Sequence, residues 1–425
     1  MKVEYSEESS VRKSLSFEIE PEVVDKEIEA RTQQYARRVK LPGFRPGRIP
    51  PDVIKQRFRA QVLEDVAEKI VNKVVFEELE GRGLKPLAAP KVTDLKIDEN
   101  RPLTFRAVFE TLPLIEVPDY RGLPVDARKP GVTDEDVDRE IDRLREGAAR
   151  YDPIEGRPTQ RGDFAVVDLA WKPADGGRGG RDENALMEVG GEGNHEDMNT
   201  ALTGMSPGDV KKLRVAYPED YAARSVAGQT LEYTVALKAI KEKVIPAVDD
   251  EFAKDLGDWG RLAELRAHLR EKLLKDEERR ADRDVKKALV DALVAKADFE
   301  VPEALVERHM TARTENAARG LAFQGIDPAK AGVDWRRYRD AQRGEAVRAA
   351  KADILLDEIA RREGIEVGEA EVDAELSRLA QRVNRGTESL RLKLEKDGEL
   401  AALRARIRED KTLDLLKANA RLNLG

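Results

Sequence analysis

The chain has 425 residues, 38% of them charged and only 5% aromatic, and its 76 Lys and Arg against 84 Asp and Glu leave a net charge of −8. That length is too great for one hydrophobic core and points to roughly two to four domains with ample burial, while the charge content fits a helix-rich chain with much solvated surface. The absence of cysteine excludes disulfides, thiol nucleophiles and zinc–thiolate sites and agrees with a reducing compartment. Residues 1–14 contain no apolar signal core and no run approaches the ~18 apolar residues of a membrane span, so a cytoplasmic protein without membrane contact is expected.

In chain order, Val11, Lys13, Leu15, Phe17 and Ile19 alternate with polar residues as a half-buried strand does, and Pro21 then opens a helix. Val24, Ile28, Tyr35 and Val39 recur at helical spacing; beyond a loop, Ile54, Phe58, Val62, Val66, Ile70 and Val74 make a longer stripe ending near Gly81 and Gly83. Two more alternating runs, Val92–Leu95–Ile97 and Leu103–Phe105–Ala107–Phe109, predict strands that pair with the first, giving an N-terminal α+β domain over residues 1–111.

The loop joining the two helical stripes is Gly43-Phe44-Arg45-Pro46-Gly47-Arg48-Ile49-Pro50. Its glycines permit backbone angles that other residues avoid, and its prolines fix φ and withhold donors, so it predicts a stiff exposed turn. Residues 31–60 hold nine Lys or Arg (Arg31, Arg37, Arg38, Lys40, Arg45, Arg48, Lys55, Arg57, Arg59) against Asp52 alone, a local charge of +8 on an acidic chain. A basic tip bearing Phe44 implies a negatively charged partner, with phosphate backbone the leading candidate.

Residues 112–150 read as a proline-punctuated connector followed by a helix, with Thr133 and Asp136 spaced as a capping box ahead of Val137, Ile141 and Leu144. The pattern Val132-x4-Val137-Asp138-x-Glu140-Ile141-x-Arg143-Leu144 is echoed at Val367-x4-Val372-Asp373-x-Glu375-Leu376-x-Arg378-Leu379; common ancestry of the two segments, or simply an amphipathic helix with acids in its first turn, accounts for the echo. Residues 151–244 are strand-rich, with runs at 164–169, 185–189, 210–215 and 231–240 separated by Gly-rich turns. Residues 245–425 are almost wholly helical in pattern, predicting elongated, weakly amphipathic helices. One stripe passes through the charged stretch 275–284 and resumes at Val285, and Pro302 starts another helix.

Three motifs lead nowhere. Gly204-Met205-Ser206-Pro207-Gly208 fits G-x-S-x-G, yet the residue that would supply an oxyanion N–H is Pro207. The glycines at 176–180 lack a following Lys-Ser/Thr, and His195, His268 and His309 lie far apart, so neither a phosphate cradle nor a metal is expected and no cofactor is implied.

Gly43 to Pro50 resembles the G-F-R-x-G-x-x-P signature of the trigger factor family, and the likeness extends over essentially the whole chain in domain order. It implies a multidomain α+β chain: a ribosome-docking domain (1–111), a connector (112–150), an inserted FKBP-like β-rich domain (151–244) and an elongated all-α chaperone domain (245–425). It also implies an ATP-independent chaperone that docks on the large ribosomal subunit, at an exit-site protein and nearby ribosomal RNA. There it holds unfolded nascent polypeptides through many weak apolar contacts; family members can form a homodimer off the ribosome, and for this chain the sequence leaves that open. Gly43, Phe44, Arg45, Pro46, Gly47, Arg48 and Pro50 are the docking residues by this likeness; Pro46 stands where some members carry lysine, so weakened docking is expected.

The spans Gly162-Asp163, Gly204 to Asp209, Tyr217-Pro218-Glu219-Asp220-Tyr221 and Gly228 to Leu237 resemble FK506-binding-protein-type prolyl isomerases. Such enzymes favour the twisted X-Pro amide in an aromatic-walled pocket, lowering a barrier of ~18–20 kcal/mol. Tyr221 and Tyr233 fall on aromatic pocket positions, whereas Leu169 and Met198 replace aromatics, His195 replaces an aliphatic, and a further aromatic is lost in the shortened segment 175–180. Weak or absent isomerase activity follows, with Trp171 a candidate to refill part of the gap. Two other readings stay open: a free cytosolic prolyl isomerase, and a nucleic-acid-binding protein using the basic hairpin.

Overall fold

The structure, a computed structural model, describes residues 1–39, 41–42, 44, 49–221 and 226–424. The chain divides into two compact units, residues 1–128 with 282–425, and residues 129–281. The predicted connector is thereby split, residues 112–128 falling in the first unit and 129–150 in the second.

The first unit opens with β1 (Lys2–Glu7), a strand that the sequence reading did not anticipate, and β2 (Arg12–Ile19). Helix α1 (Pro21–Arg38) begins on its proline as predicted; the second stripe is two helices, α2 (Pro51–Arg57) and α3 (Arg59–Gly81). They part at Phe58, whose φ of −120° kinks the helix and whose ring lies 6.1 Å from that of Tyr35 on α1. Strands β3 (Lys91–Lys96) and β4 (Leu103–Glu110) complete an antiparallel sheet of order β1-β2-β4-β3. Paired Phe17 and Phe105 stack at 4.6 Å, and Leu15, Ile19, Ile28, Ile54 and Val66 fill the core between sheet and helices.

Strand β3 departs from its predicted alternation. Asp94 adopts a left-handed φ of 53° where the register slips between Thr93 and Lys96, so Val92 and Leu95 are both exposed and only Ile97 packs on the core.

After an extended stretch come β5 (Pro124–Ala127) and, in the second unit, α4 (Asp134–Gly147), whose N-terminus carries the predicted box: Asp136 N–H donates to Thr133 Oγ1 and Thr133 N–H to Asp136. Then follow β6 (Arg150–Ile154), β7 (Phe164–Pro173), β8 (Gly180–Glu188), the short helix α5 (Glu196–Leu202), β9 (Val210–Ala216) and β10 (Thr230–Val244). β10 is the spine of the five-stranded antiparallel sheet: it pairs β7 along its length and, on its other edge, β9 and then β6. Helices α6 (Asp250–Leu256) and the start of α7 (Leu262–Lys296) share an apolar core with α4 through Val137, Ile141, Phe252, Leu265 and Leu269.

Helix α7 runs unbroken for 35 residues through the charged stretch, because Leu, Lys, Glu, Arg and Ala are all good helix formers and Gly and Pro are absent from it. In the first unit, α8 (Glu303–Phe323), α9 (Trp335–Ala341), α10 (Arg343–Arg362), α11 (Glu369–Arg382), α12 (Thr387–Lys396) and α13 (Leu400–Ala418) follow, then β11 (Arg421–Leu424), which pairs in parallel with β5. Small Ala346 and Ala350 on α10 pack against Val306 and Met310 of α8, and Leu289, Leu293, Leu355, Ile359 and Leu416 close over Leu123 and Val125. The echoed segment 367–379 shares only half of the first capping box: Gly368 N–H donates to Glu371, but a glycine has no side chain to return the bond.

Candidate functional site

The helical hairpin presents its loop from two anchors. Leu41 and Ile49 are buried in the N-terminal core, and between them Phe44 stands 38% exposed, its N–H donating to the Leu41 carbonyl at 3.1 Å. Pro50 is exposed and caps α2, while Gly43, Arg45, Pro46, Gly47 and Arg48 lie outside the described residues. Leu41 and Ile49 are thus buried while Phe44 between them keeps part of its ring in water, an apolar exposure that costs solvation free energy.

The structure sorts the local cations. Arg31 pairs with Asp65 at 3.5 Å, Lys55 with Glu99 at 3.5 Å and Arg59 with Asp98 at 2.5 Å. Arg37, Arg38 and Arg57 are exposed and hold no ion pair among the described residues. Arg37 and Arg38 occupy the last turn of α1, where the helix dipole favours cations. Asp65 also accepts from Tyr35 at 3.0 Å; burial, then this bond, pushes the Tyr35 hydroxyl up, so it remains a neutral donor.

In the second unit the expected pocket positions come together on the inner face of the sheet around α5. Tyr233 and Met198 are buried in one core with Leu169 and Trp171 packed against it. His195 is the N-cap of α5, its Nδ1 accepting from Asp197 N–H at 3.3 Å, which turns the ring toward Tyr217 at 5.3 Å and Tyr221 at 6.3 Å. Tyr217 and Tyr221 meet edge-on at 4.7 Å. The hydroxyls of Tyr217 and Tyr233 are 2.9 Å apart, and burial first, then that hydrogen bond, pushes the Tyr233 hydroxyl up. Tyr217 is thus a member of this aromatic cluster that the sequence reading passed over; its signal was a second tyrosine four residues before Tyr221 in the same motif.

Trp171 faces the same core, directly across the ladder from Tyr233 on one side and Gly180 on the other. A Cβ on Gly180 would lie 2.3 Å from the indole, so the glycine is what admits the ring. Gly180→Ala is expected to displace Trp171 and cost about 1–3 kcal/mol, read as a lower unfolding midpoint in denaturant together with a changed near-UV signal. Equal stability and an unchanged spectrum would show that the indole is not held there.

Behind α5, the backbone is knotted by buried Thr159, whose Oγ1 donates to Leu202 O at 2.6 Å and accepts from Met205 N–H at 2.9 Å. Asp163, 6% exposed, accepts two bonds from Arg157 at 2.6 and 2.8 Å and one from Gln160 N–H at 2.7 Å. The Arg157 bonds foremost hold its carboxyl below the usual range, against the upward push of burial. A lowered folded-state value contributes stability above the ordinary carboxylate range and loses it as pH falls through the folded value. Asp163→Asn is therefore expected to cost about 1.5–3 kcal/mol at neutral pH. The gap from the native protein closes in acid; a pH-independent gap in denaturant melts would contradict this. The serine of the G-x-S-x-G match sits in a turn, its N–H donating to Asp209 at 2.8 Å, so no nucleophile is formed there.

Several large apolar side chains of the first unit face solvent: Leu112 and Leu114 after the N-terminal sheet, Phe323 (96% exposed) and Ile326 where Gly325 turns the chain after α8, and Leu392 on α12. Among the described residues no group of three or more His, Asp or Glu is placed to hold a metal ion, and no helix is long and apolar enough to cross a membrane.

Three family models match the chain: bacterial trigger factor protein over residues 1–144, FKBP-type peptidyl-prolyl cis-trans isomerase over 157–238, and bacterial trigger factor protein C-terminus over 261–418. The chain is 36% identical over 408 residues to a trigger factor of Solibacter usitatus, covering 96% of this chain and 97% of that one. It is 37% identical to a trigger factor of Koribacter versatilis, covering 95% and 93%. A solved structure, described as promiscuous substrate recognition in folding and assembly activities of the trigger factor chaperone, superposes with a TM-score of 0.51 over 98% of this chain and 99% of that one at 20% identity, a likeness of fold.

Proposed function

The chain belongs to the trigger factor family, and from that membership we propose how its parts divide the work. As a family member it is a ribosome-associated chaperone carrying an FKBP-type peptidyl-prolyl isomerase domain. In our reading the loop Gly43 to Pro50 is its docking tip, Phe44 entering an apolar recess of an exit-site protein while Arg45, Arg48, Arg37, Arg38 and Arg57 meet ribosomal RNA. The observation that carries this is Phe44, exposed between the buried anchors Leu41 and Ile49 on a hairpin whose exposed Arg37, Arg38 and Arg57 hold no ion pair among the described residues.

We infer that residues 1–111 dock, 112–150 connect, 151–244 isomerise and 245–425 hold clients. Leu112, Leu114, Phe323, Ile326 and Leu392 offer scattered apolar contacts to a nascent chain, a pattern that gives avidity with fast local release. The His195–Tyr217–Tyr221–Tyr233 cluster over Met198 and Leu169 forms the prolyl pocket. We place the protein in the cytoplasm and infer that it self-associates when off the ribosome.

The test is cosedimentation with ribosomes. Pelleting at about 0.1 M salt and release at about 1 M, where screening shortens to about 3 Å, is expected. No pelleting at low salt, or equal affinity for protein-free RNA, would instead favour a free isomerase or a nucleic-acid-binding protein.

A further inference from the structure

The outer face of the FKBP-like sheet, opposite the prolyl pocket, carries a trough that the reading above does not use. Trp171, Leu213 and Tyr233, aligned across β7, β9 and β10, turn into the core. Alternation therefore puts their neighbours outward: Lys172, Glu232 and Arg214 form one cross-strand row, and Ala170, Thr234 and Lys212 the next. A cavity of about 510 Å³ is lined by these six residues together with Trp171, Leu213 and Tyr233. A second, of about 550 Å³, continues it past Arg214 toward Thr230.

Charge in the trough is unbalanced. Lys172 is satisfied by Glu232 at 3.1 Å, but Lys212 and Arg214 are exposed and have no ion pair among the described residues. They stand two apart on β9, so their side chains repeat every ~7 Å along the strand. Among the described residues β9 pairs only with β10, which leaves its other edge unpaired, and Val210 at its start is 60% exposed.

We propose that this trough binds an extended acidic polypeptide segment with carboxylates at alternate positions, laid along β9. An extended chain presents alternate side chains at the same ~7 Å repeat, so a chain lying on this face above β9 brings two carboxylates to Lys212 and Arg214 together while its intervening side chains point away from the sheet. Single-stranded nucleic acid fits less well, because the Glu232 carboxylate stands in the path of a phosphate chain.

The test uses the full chain and a fluorescein-labelled peptide of ten residues alternating Glu and Thr, with a photoreactive group at its centre. Anisotropy is expected to show salt-sensitive binding, weakened at least tenfold by Lys212→Glu with Arg214→Glu and several-fold by the milder Lys212→Gln with Arg214→Gln. Arg37→Glu with Arg38→Glu on the docking hairpin should change it less than twofold, and the crosslinks should map to residues 170–172, 212–214 and 232–234. Unchanged affinity in both trough variants, loss in the hairpin variant, crosslinks elsewhere, or tighter trough-dependent binding of a ten-nucleotide RNA would each overturn the assignment. Circular dichroism of the variants identifies any that fail to fold, in which case the glutamine pair and the crosslink map decide.

Discussion

Phe44→Ala with Arg45→Ala is expected to reduce ribosome cosedimentation at least tenfold while leaving the fold intact. Phe44 is 38% exposed, so of the about 1.5–3 kcal/mol for burying a whole phenylalanine docking adds about 0.6–1.1, and the charge-assisted bond lost with Arg45, about 1.5–3 kcal/mol, supplies the rest of the tenfold, which takes about 1.4 kcal/mol. Apolar anchors at the centre of an interface dominate its energy, whereas cations at its rim mainly steer the encounter. Arg37→Ala with Arg38→Ala should thus slow association and flatten the salt dependence without abolishing binding. The fold is spared because the structural anchors are Leu41 and Ile49, both untouched. If the double variant pellets as the native chain does, the docking assignment of this loop fails.

The second expectation concerns catalysis. Prolyl isomerase turnover of a proline-containing tetrapeptide should fall roughly tenfold to a thousandfold below that of an aromatic-walled enzyme. The pocket lacks aromatics at Leu169, at Met198 and in the segment 175–180. Each aromatic contact is worth about 0.5–1.5 kcal/mol, so three together span about 1.5–4.5 kcal/mol, and each 1.36 kcal/mol of barrier is tenfold in rate. Tyr217, joined to Tyr233 through their hydroxyls, returns one ring to the cluster and sets the deficit toward the smaller end. Leu169→Tyr should recover part of the rate, since Leu169 is only half-buried; Met198 is packed too tightly to enlarge without strain. Native turnover equal to the aromatic-walled enzyme would show that flat walls are not what this pocket relies on.

Sequence and structure agree most closely where a signal is local. Pro21, Pro302 and the Thr133–Asp136 pair start helices where their backbone chemistry requires, and 35 residues of good helix formers make α7 one helix despite its charges. β1 was passed over because Val3 and Tyr5 are too few to mark a strand; pairing with β2 supplies what their own burial does not. β11 and β5 are shorter still, and each exists only because the other lies nearly 300 residues away in the chain and adjacent in space.

The sequence by itself determined the family, the fold class and the basic helical hairpin that carries Phe44, because composition, helical period and contiguous motifs are all short-range records. Only the tertiary structure decided which cations are free. Arg31, Lys55 and Arg59 look identical to Arg37, Arg38 and Arg57 in the chain, but Asp65, Glu99 and Asp98 neutralise the first three from other elements. Only the fold brought Tyr217 to Tyr233 and seated Trp171 on Gly180, and it left Lys212 and Arg214 facing outward with no ion pair among the described residues. The physical reason is the same in each case: pairing, packing and desolvation depend on distance in space, and a strand's alternation or a helix's stripe says which way a side chain points without saying what it meets.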